Sequence, residues 1–323
     1  MIIQRLLVAA GCLLAATAGH AQTAAYPTKP IRLVNPYGAG GPVDTIAREV
    51  SAALSAELGQ QVIVDVKSGG GTVIGANVVA KSPADGYTLL LGTQAPLIVQ
   101  PAINSQLPYD AVKDFVPVAM FVTVPGIISV PADSPLKSLK DLVDEGKRQP
   151  GAINYASAGN GTGSHLGGEL FNQLTGAKLA HVPYRGAAPG TIALLGHEVQ
   201  VGFVNITPQL AHLEAGRLRA LAVTGSARST ALPNVPTAAE AGVPGLVAES
   251  WYGLFAPAGT PPAALAKLAS AMEKVMAQPA LKAKLGEQGA EITYMGTDAF
   301  TTYLSDDRKR LLPLIKAIGL KQG

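Results

Sequence analysis

"NPYGAGGPVDTIAREV" (residues 35–50) places bare backbone between an apolar run and a strongly patterned helix. Just upstream, "IRLVN" (31–35) reads as a short buried strand. Downstream, Val43, Ile46, Ala47, Val50, Leu54 and Leu58 recur at helical spacing, which predicts a helix over 42–58 that stops at Gly59. Pro42 suits the first helical position, where no N–H is required. Glycine lets a backbone approach a ligand without Cβ interference, and a helix start carries unpaired N–H groups with partial positive charge. The stretch therefore reads as a strand-to-helix turn able to hold an anion.

The same alternation continues. "QVIVDV" (61–66) is a second strand, "SGGGTVIGANVVAKS" (68–82) a glycine loop and helix, and "YTLLLG" (87–92) a third strand. Later, "AINYAS", "LAHVPY", "EVQVGFV" and "RALAVT" read as strands, with helices around 165–175, 187–195 and 208–215. Such alternation predicts parallel sheets flanked by helices. Two apolar segments followed by Pro-rich turns, "VPGIISVPADSPL" (124–136) and "SWYGLFAPAGTPP" (250–262), read as crossings between lobes. The expected division is lobe 1 over 22–124 and 250–323, and lobe 2 over 125–249. Helices at 261–277, 279–288 and 298–318 would finish the chain.

Residues 1–21 read as a secretory signal peptide, with one early cation, an apolar run from Leu6 to Ala18 and cleavage after Ala21. Cys12 follows "AAG" but sits too early in the run for a convincing lipoprotein box. The mature chain would then carry no cysteine and rely on core packing. Apolar content of 48% with 15% charged residues and a net charge of +3 indicates a well-buried globular protein. No basic stripe or charge block is present, so nucleic acid is excluded as a partner. A soluble, monomeric protein of the periplasm is expected.

In open parallel sheets, ligands bind beyond the carboxyl ends of the strands. Five such ends carry distinctive residues: Asn35 to Gly41, Gly92-Thr93-Gln94, "SAGNGTGSH" (157–165), Tyr184-Arg185-Gly186 and Asn205. One glycine loop alone would be an ordinary turn, whereas two large ones, one in each lobe, point to a ligand. GxGxxG and Walker A patterns are both missing, which leaves a carboxylate as the anion rather than a nucleotide. No metal or other cofactor is indicated, because the histidines at 165, 181, 197 and 212 lack ligand spacing. No G-x-S-x-G occurs, and Ser164 beside His165 in one helix start is a poor nucleophile–base pair.

Several residues admit two roles. Asp44, in the first turn of its helix, either stabilises that terminus or touches the ligand. His165 donates to a ligand or caps its helix. Arg185 holds a distal acid through its fork of donors or lies exposed. Tyr184 packs or offers a hydroxyl, and Asn205 offers both a donor and an acceptor. Trp251 is expected to be core packing beside a crossing.

The chain resembles the substrate-binding proteins of tripartite tricarboxylate transporters, the Bug receptors. The resemblance runs through "YPTKPIRLVNPYGAGGPVDTIAR", "GQQVIVDVKSGGGTVIGANVVAKSPADGYTLLLGT", "LPYDAVKDFVPVA", "NYASAGNGTGSHLGGELF", "HVPYRGAAPG", "GRLRALAVTG", "LPNVPTAAEAG" and "WYGLFAPAGTPP". It implies an α/β, two-lobed, type II periplasmic-binding-protein fold, each lobe a mostly parallel sheet flanked by helices. It implies a receptor without enzymatic activity that closes on a small carboxylate and delivers it to membrane permease subunits. Carried over, the first loop supplies Tyr37, Gly38, Ala39, Gly40, Gly41 and Asp44. The second supplies Ala158, Gly159, Asn160, Gly161, Thr162 and Ser164. Gln94, His165, Tyr184, Arg185 and Asn205 complete the expected ligand-binding set. Many relatives have Asp where this chain has Val204, and a small polar run where it has Gln94-Ala95-Pro96-Leu97. Both departures imply a less polar pocket, suited to an apolar or aromatic carboxylate rather than an amino acid. The alternatives are a ligand sensor for a membrane signalling protein, or a hydrolase on the same scaffold.

Overall fold

The computed structural model describes residues 26–320, so the expected signal peptide and Cys12 lie outside the described residues. The chain begins with β1 (Ile31–Asn35), α1 (Pro42–Leu58), β2 (Val62–Val66), α2 (Val73–Ala80) and β3 (Thr88–Gly92). β1 pairs in parallel with both β2 and β3. Ile31, Leu33, Leu89 and Leu91 enter one apolar core, while Val34 and Leu90 enter another on the opposite face. Pleating turns successive side chains to opposite faces, so a strand covered by helices on both sides is apolar at nearly every position.

β4 (Phe115–Pro131) is 17 residues long. Only its second half was legible as a crossing. The first half is a continuous apolar run without alternation, a pattern that periodicity alone does not resolve. There follow α3 (Leu139–Arg148), β5 (Asn154–Ser157), α4 (Gly163–Thr175), β6 (Ala180–Pro183), α5 (Ala187–Leu195), β7 (Val201–Asn205) and β8 (Leu218–Val223). The sequence reading passed over α3, although Ser138 and Asp141 form a capping box. The Asp141 N–H donates to Ser138 Oγ (3.1 Å), and the Ser138 N–H donates back to the Asp141 carboxylate (2.9 Å). β5 pairs in parallel with β6 and β7.

The chain closes with β9 (Glu249–Pro257), α6 (Pro262–Met276), α7 (Pro279–Glu287), β10 (Glu291–Gly296) and α8 (Thr297–Ala317). β10 was likewise not anticipated. Its residues are half-buried throughout and show no alternation, and it adds to β4 with an irregular register.

The strand order is β2-β1-β3-β9-β4-β7-β5-β6, with β10 and β8 also on β4. Residues 115–125 of β4 pair with β9, and residues 126–131 pair with β7 and β8. One strand thus serves both halves of the molecule. Parallel pairing covers the outer three strands of each half. The central pairings through β4 and β9 are antiparallel, because these two segments cross between the halves in opposite directions. Val124 faces Ser250 and Pro125 faces Glu249 across that junction. At Gly126 a Cβ would lie 2.5 Å from Thr224 Oγ1. Thr224 uses the space, its N–H donating to the Gly126 carbonyl (2.8 Å) and its hydroxyl to the Ala248 carbonyl (2.5 Å).

Trp251 is fully buried beside the junction, edge-on to Phe300. Its indole N–H donates to Asp307 Oδ2 at 2.9 Å, fastening α8 beneath the crossing. The Trp251 ring is therefore core, and the polar tip of the indole is satisfied.

Candidate ligand-binding site

Within each half the parallel strands point the same way, so the helices that follow them begin at one edge of that half. The three antiparallel pairings β3–β9, β9–β4 and β4–β7 reverse the direction between the halves, so the two edges are opposed. α1 follows β1, α4 follows β5, and α5 follows β6. Their starts converge, together with a π-helical turn (Ala95–Val99) after β3, on a cavity of about 430 Å³. Gly41, Pro42 and Val43 from α1, Gly163 from α4, and Gly186 and Ala187 from α5 line it. No side chain caps α1 or α5, so their first-turn N–H groups remain available.

The first loop is held from beneath rather than by the ligand wall. Asp44 is 3% exposed. It accepts from Asn35 Nδ2 (3.2 Å), the Gly40 N–H (3.0 Å) and Arg48 Nε (2.9 Å). Burial would raise its carboxyl, but the bonds from Arg48, Gly40 and Asn35 outweigh that and hold it below the usual carboxylate range. Asn35 in turn accepts from the Tyr37 N–H (3.0 Å). Gly40 adopts φ +77° and, like Asp44, does not line the cavity. Tyr37, Gly38, Ala39 and Gly41 do. The Tyr37 hydroxyl meets Thr93 Oγ1 at 2.6 Å, and burial pushes the phenol up to about 12 despite that bond.

The second loop spends its polar groups on itself. The Ala158 N–H donates to Ser164 Oγ (2.9 Å), the Gly159 N–H to Ser157 Oγ (3.1 Å), and the Gly161 N–H to His165 Nδ1 (3.1 Å). Ala158, Thr162 and Gly163 reach the cavity, whereas Gly159, Asn160, Gly161, Ser164 and His165 do not line it. His165 stacks on His181 with centroids 3.9 Å apart, and His181 Nε2 meets Ser157 Oγ at 2.6 Å. Burial lowers both imidazoles to about 4, and His165 adds to the shift at His181. His165 thus acts as an acceptor inside the loop, and no hydrogen bond joins it to the Ser164 hydroxyl among the described residues.

Further residues come from the remaining strand ends. Gln94 lines the cavity while its Nε2 donates to the Glu249 carbonyl (2.8 Å), linking the end of β3 to β9. Asn205 lines it too, its Nδ2 3.4 Å from Ser250 Oγ. Arg185 lines it and is the one charged side chain among the described residues that do so. Tyr184 points elsewhere, its hydroxyl donating to Glu198 Oε2 at 3.4 Å. Val204 is buried in the core and forms no part of this wall, so it does not set the cavity's polarity as expected.

Thr93, Gly163 and Gly186 line the cavity as well, within strand ends the sequence singled out, whereas sequence reasoning missed Pro42, Val43, Ala95, Ala187, Ser250 and Tyr252. Ser250 and Tyr252 carried a usable signal. They alternate with Glu249 and Trp251 along β9, so the strand shows one face to the cavity and one to the core beneath α8.

With no carboxylate side chain among its described lining residues, two uncapped helix starts and one arginine, the cavity suits an anion with an apolar body. Comparison with known proteins agrees with this arrangement. Residues 46–320 match the family model TctC, described as the tripartite tricarboxylate transporter family receptor. The chain is 37% identical to protein BugT of Bordetella pertussis over 325 residues, covering 99% of each. It superposes on the structure of R. palustris Rpa4515 with adipate with a TM-score of 0.83 at 34% identity, over 92% of this chain and 99% of that one. It superposes on MatC from Rhodopseudomonas palustris with bound malate with a TM-score of 0.78 at 30% identity, over 90% and 100%. The expected α/β, two-lobed fold of periplasmic binding proteins is thereby established, and the chain belongs to the tripartite tricarboxylate transporter receptor family, TctC.

Proposed function

We propose that the protein is an extracytoplasmic receptor that captures a small carboxylate between its lobes and delivers it to permease subunits in the membrane. The observation that carries this reading is the convergence of three helix N-termini and Arg185 on a cavity whose described lining holds no acid. The carboxylates named with the related structures, adipate and malate, support the same ligand class. A signal peptide over 1–21 would export the chain to the periplasm. Among the described residues no helix is long and apolar enough to cross a membrane.

The lobes divide at 124/125 and 249/250, where β4 and β9 face each other. Hinge motion there closes the cavity and creates the composite surface that a permease recognises. Binding proceeds without turnover. Ser164 Oγ accepts from the Ala158 N–H, and the His165 Nδ1 lone pair is occupied by the Gly161 N–H, which supports this reading.

The test is calorimetry and thermal shift of the chain from Gln22 against mono-, di- and tricarboxylates, with amino acids and sugars as controls. A ligand at a hundred times its dissociation constant stabilises the fold by about 2.7 kcal/mol. Stabilisation by carboxylates alone is the expected result. A response to sugars or amino acids with none to carboxylates refutes the reading.

A further inference from the structure

Tyr252 is a cavity residue whose polar group the fold leaves unused. It lies on β9 opposite Val122 of β4 and is 3% exposed. Its ring belongs to the apolar core that takes in Ile46 and Ala47 of α1, with Val43 packed against that core. Pleating fixes which way it points. Trp251 and Gly253, its neighbours on the strand, turn towards Phe300 of α8, and Tyr252 turns to the cavity.

Three tyrosines belong to the described core, and two of them are satisfied. The Tyr109 hydroxyl donates to the Pro96 carbonyl (2.7 Å), and the Tyr155 hydroxyl to Glu169 Oε1 (2.8 Å). The Tyr252 hydroxyl has no hydrogen-bond partner among the described residues. Unlike Ser51 Oγ and Ser129 Oγ, which are unpartnered and sealed off, it keeps accessible surface, and the residue lines the cavity. β3 ends on Gly92 opposite Gly253, which brings Thr93 alongside Tyr252, yet Thr93 Oγ1 pairs with the Tyr37 hydroxyl at 2.6 Å. Buried phenols usually find a partner, so an orphan that opens on a cavity points to a group supplied from outside.

We propose that Tyr252 is a ligand-contact residue whose hydroxyl donates to a carboxylate oxygen, completing the anion site begun by the uncapped start of α1. The inference rests on the receptor reading and adds to it a residue outside both glycine loops. A hydroxyl that donates to an ionised oxygen makes a stronger bond than it would with a neutral acceptor. Burial raises the phenol and Tyr37 adds to the rise, so Tyr252 stays a protonated donor wherever the carboxylate is ionised. The α1 start contributes backbone N–H groups and a partial positive charge, and Tyr252 contributes a donor fixed by core packing.

The experiment titrates the chain from Gln22, as wild type and as Tyr252→Phe, with mono-, di- and tricarboxylates that include benzoate, adipate and malate. Tyr252→Phe weakens every acid that binds the wild type by about 10- to 100-fold, the worth of one hydrogen bond to a charged acceptor. The loss is the same for acids with and without a hydroxyl of their own. The unliganded variant melts at or above the wild-type temperature, because the ring still fills its place and only a partnerless hydroxyl has been removed.

A loss confined to hydroxy acids such as malate overturns the proposal, since Tyr252 would then read a hydroxyl on the ligand and not its carboxylate. A lowered melting temperature in unliganded Tyr252→Phe also overturns it, since the hydroxyl would then be satisfied within the fold. If no carboxylate binds the wild type, the receptor reading itself fails and the contact with it. If carboxylates bind wild type and variant alike, only the contact fails.

Discussion

Replacing Asp44 with Asn separates a structural acid from a ligand contact. The carboxylate now satisfies two loop donors with two different oxygens, Asn35 Nδ2 on Oδ1 and the Gly40 N–H on Oδ2, and Arg48 Nε shares Oδ2. An amide has one oxygen, so its nitrogen must face one of these donors. Asn35 is fully buried, and leaving such a donor unpaired costs about 1–3 kcal/mol. Loss of the negative charge from the first turn of α1 adds about 0.3–1 kcal/mol. Arg48 is 57% exposed, so its share is small.

The total of about 1.5–4 kcal/mol lowers the melting temperature by about 5–12 °C, at roughly 3 °C per kcal/mol for a chain of this size. Carboxylate affinity falls in parallel, because the Gly38–Gly41 backbone loses its anchor. Calorimetric melts and ligand titration on the same sample measure both effects. The contribution of Asp44 also has a pH signature. Its folded pKa is depressed, so its stabilisation is full above an unfolded value of about 3.9 and is lost as pH falls through the lower folded value. A variant that melts with the wild type and changes only in affinity would refute the anchoring role. Tighter carboxylate binding in such a variant would indicate that Asp44 had faced the ligand.

Two more outcomes follow from the same geometry. Arg185→Gln lowers carboxylate affinity by about 10- to 100-fold, the worth of a charge-assisted hydrogen bond. It also flattens the salt dependence of binding in calorimetry, and an unchanged salt slope would place Arg185 outside the bound state. The stacked pair His165 and His181 predicts acid sensitivity. Both folded pKa values are lowered to about 4 from 6.5, so their stabilising contribution is full above about pH 6.5 and is lost as pH falls towards 4. Melting temperature therefore drops across that window, more steeply in the wild type than in His181→Gln. Parallel pH profiles would count against the buried neutral pair.

Most of the elements could be read directly. β1 through β3, α1 and α4 to α8 announce themselves by periodicity, Pro at helix starts and Gly at helix ends. α3 had a legible capping box that was passed over. β10 and the first half of β4 had no clear signal, because one is half-exposed on both faces and the other buried on both, and neither alternates. The five strand ends that carry the cavity were also legible, since in each half the parallel strands must open at a shared carboxyl-terminal edge. What single loops looked like in isolation was less informative. The two glycine loops read as equivalent backbone cradles, yet the first puts Tyr37, Gly38, Ala39 and Gly41 on the cavity wall, while the second contributes only Ala158, Thr162 and Gly163. The second closes on itself through Ser157, Ser164 and His165.

The difference is one of reach. Local sequence determines which backbone can turn, cap or begin a helix, because those preferences come from atoms within a few residues. The sequence by itself therefore determined the strand-to-helix units, the anion-friendly edge and the two crossing segments. Tertiary structure alone decided that the starts of α1, α4 and α5 meet on one cavity together with Ser250 and Tyr252 of β9. Each of these depends on which lobe packs opposite which loop, and such contacts join residues far apart in the chain that no local pattern encodes.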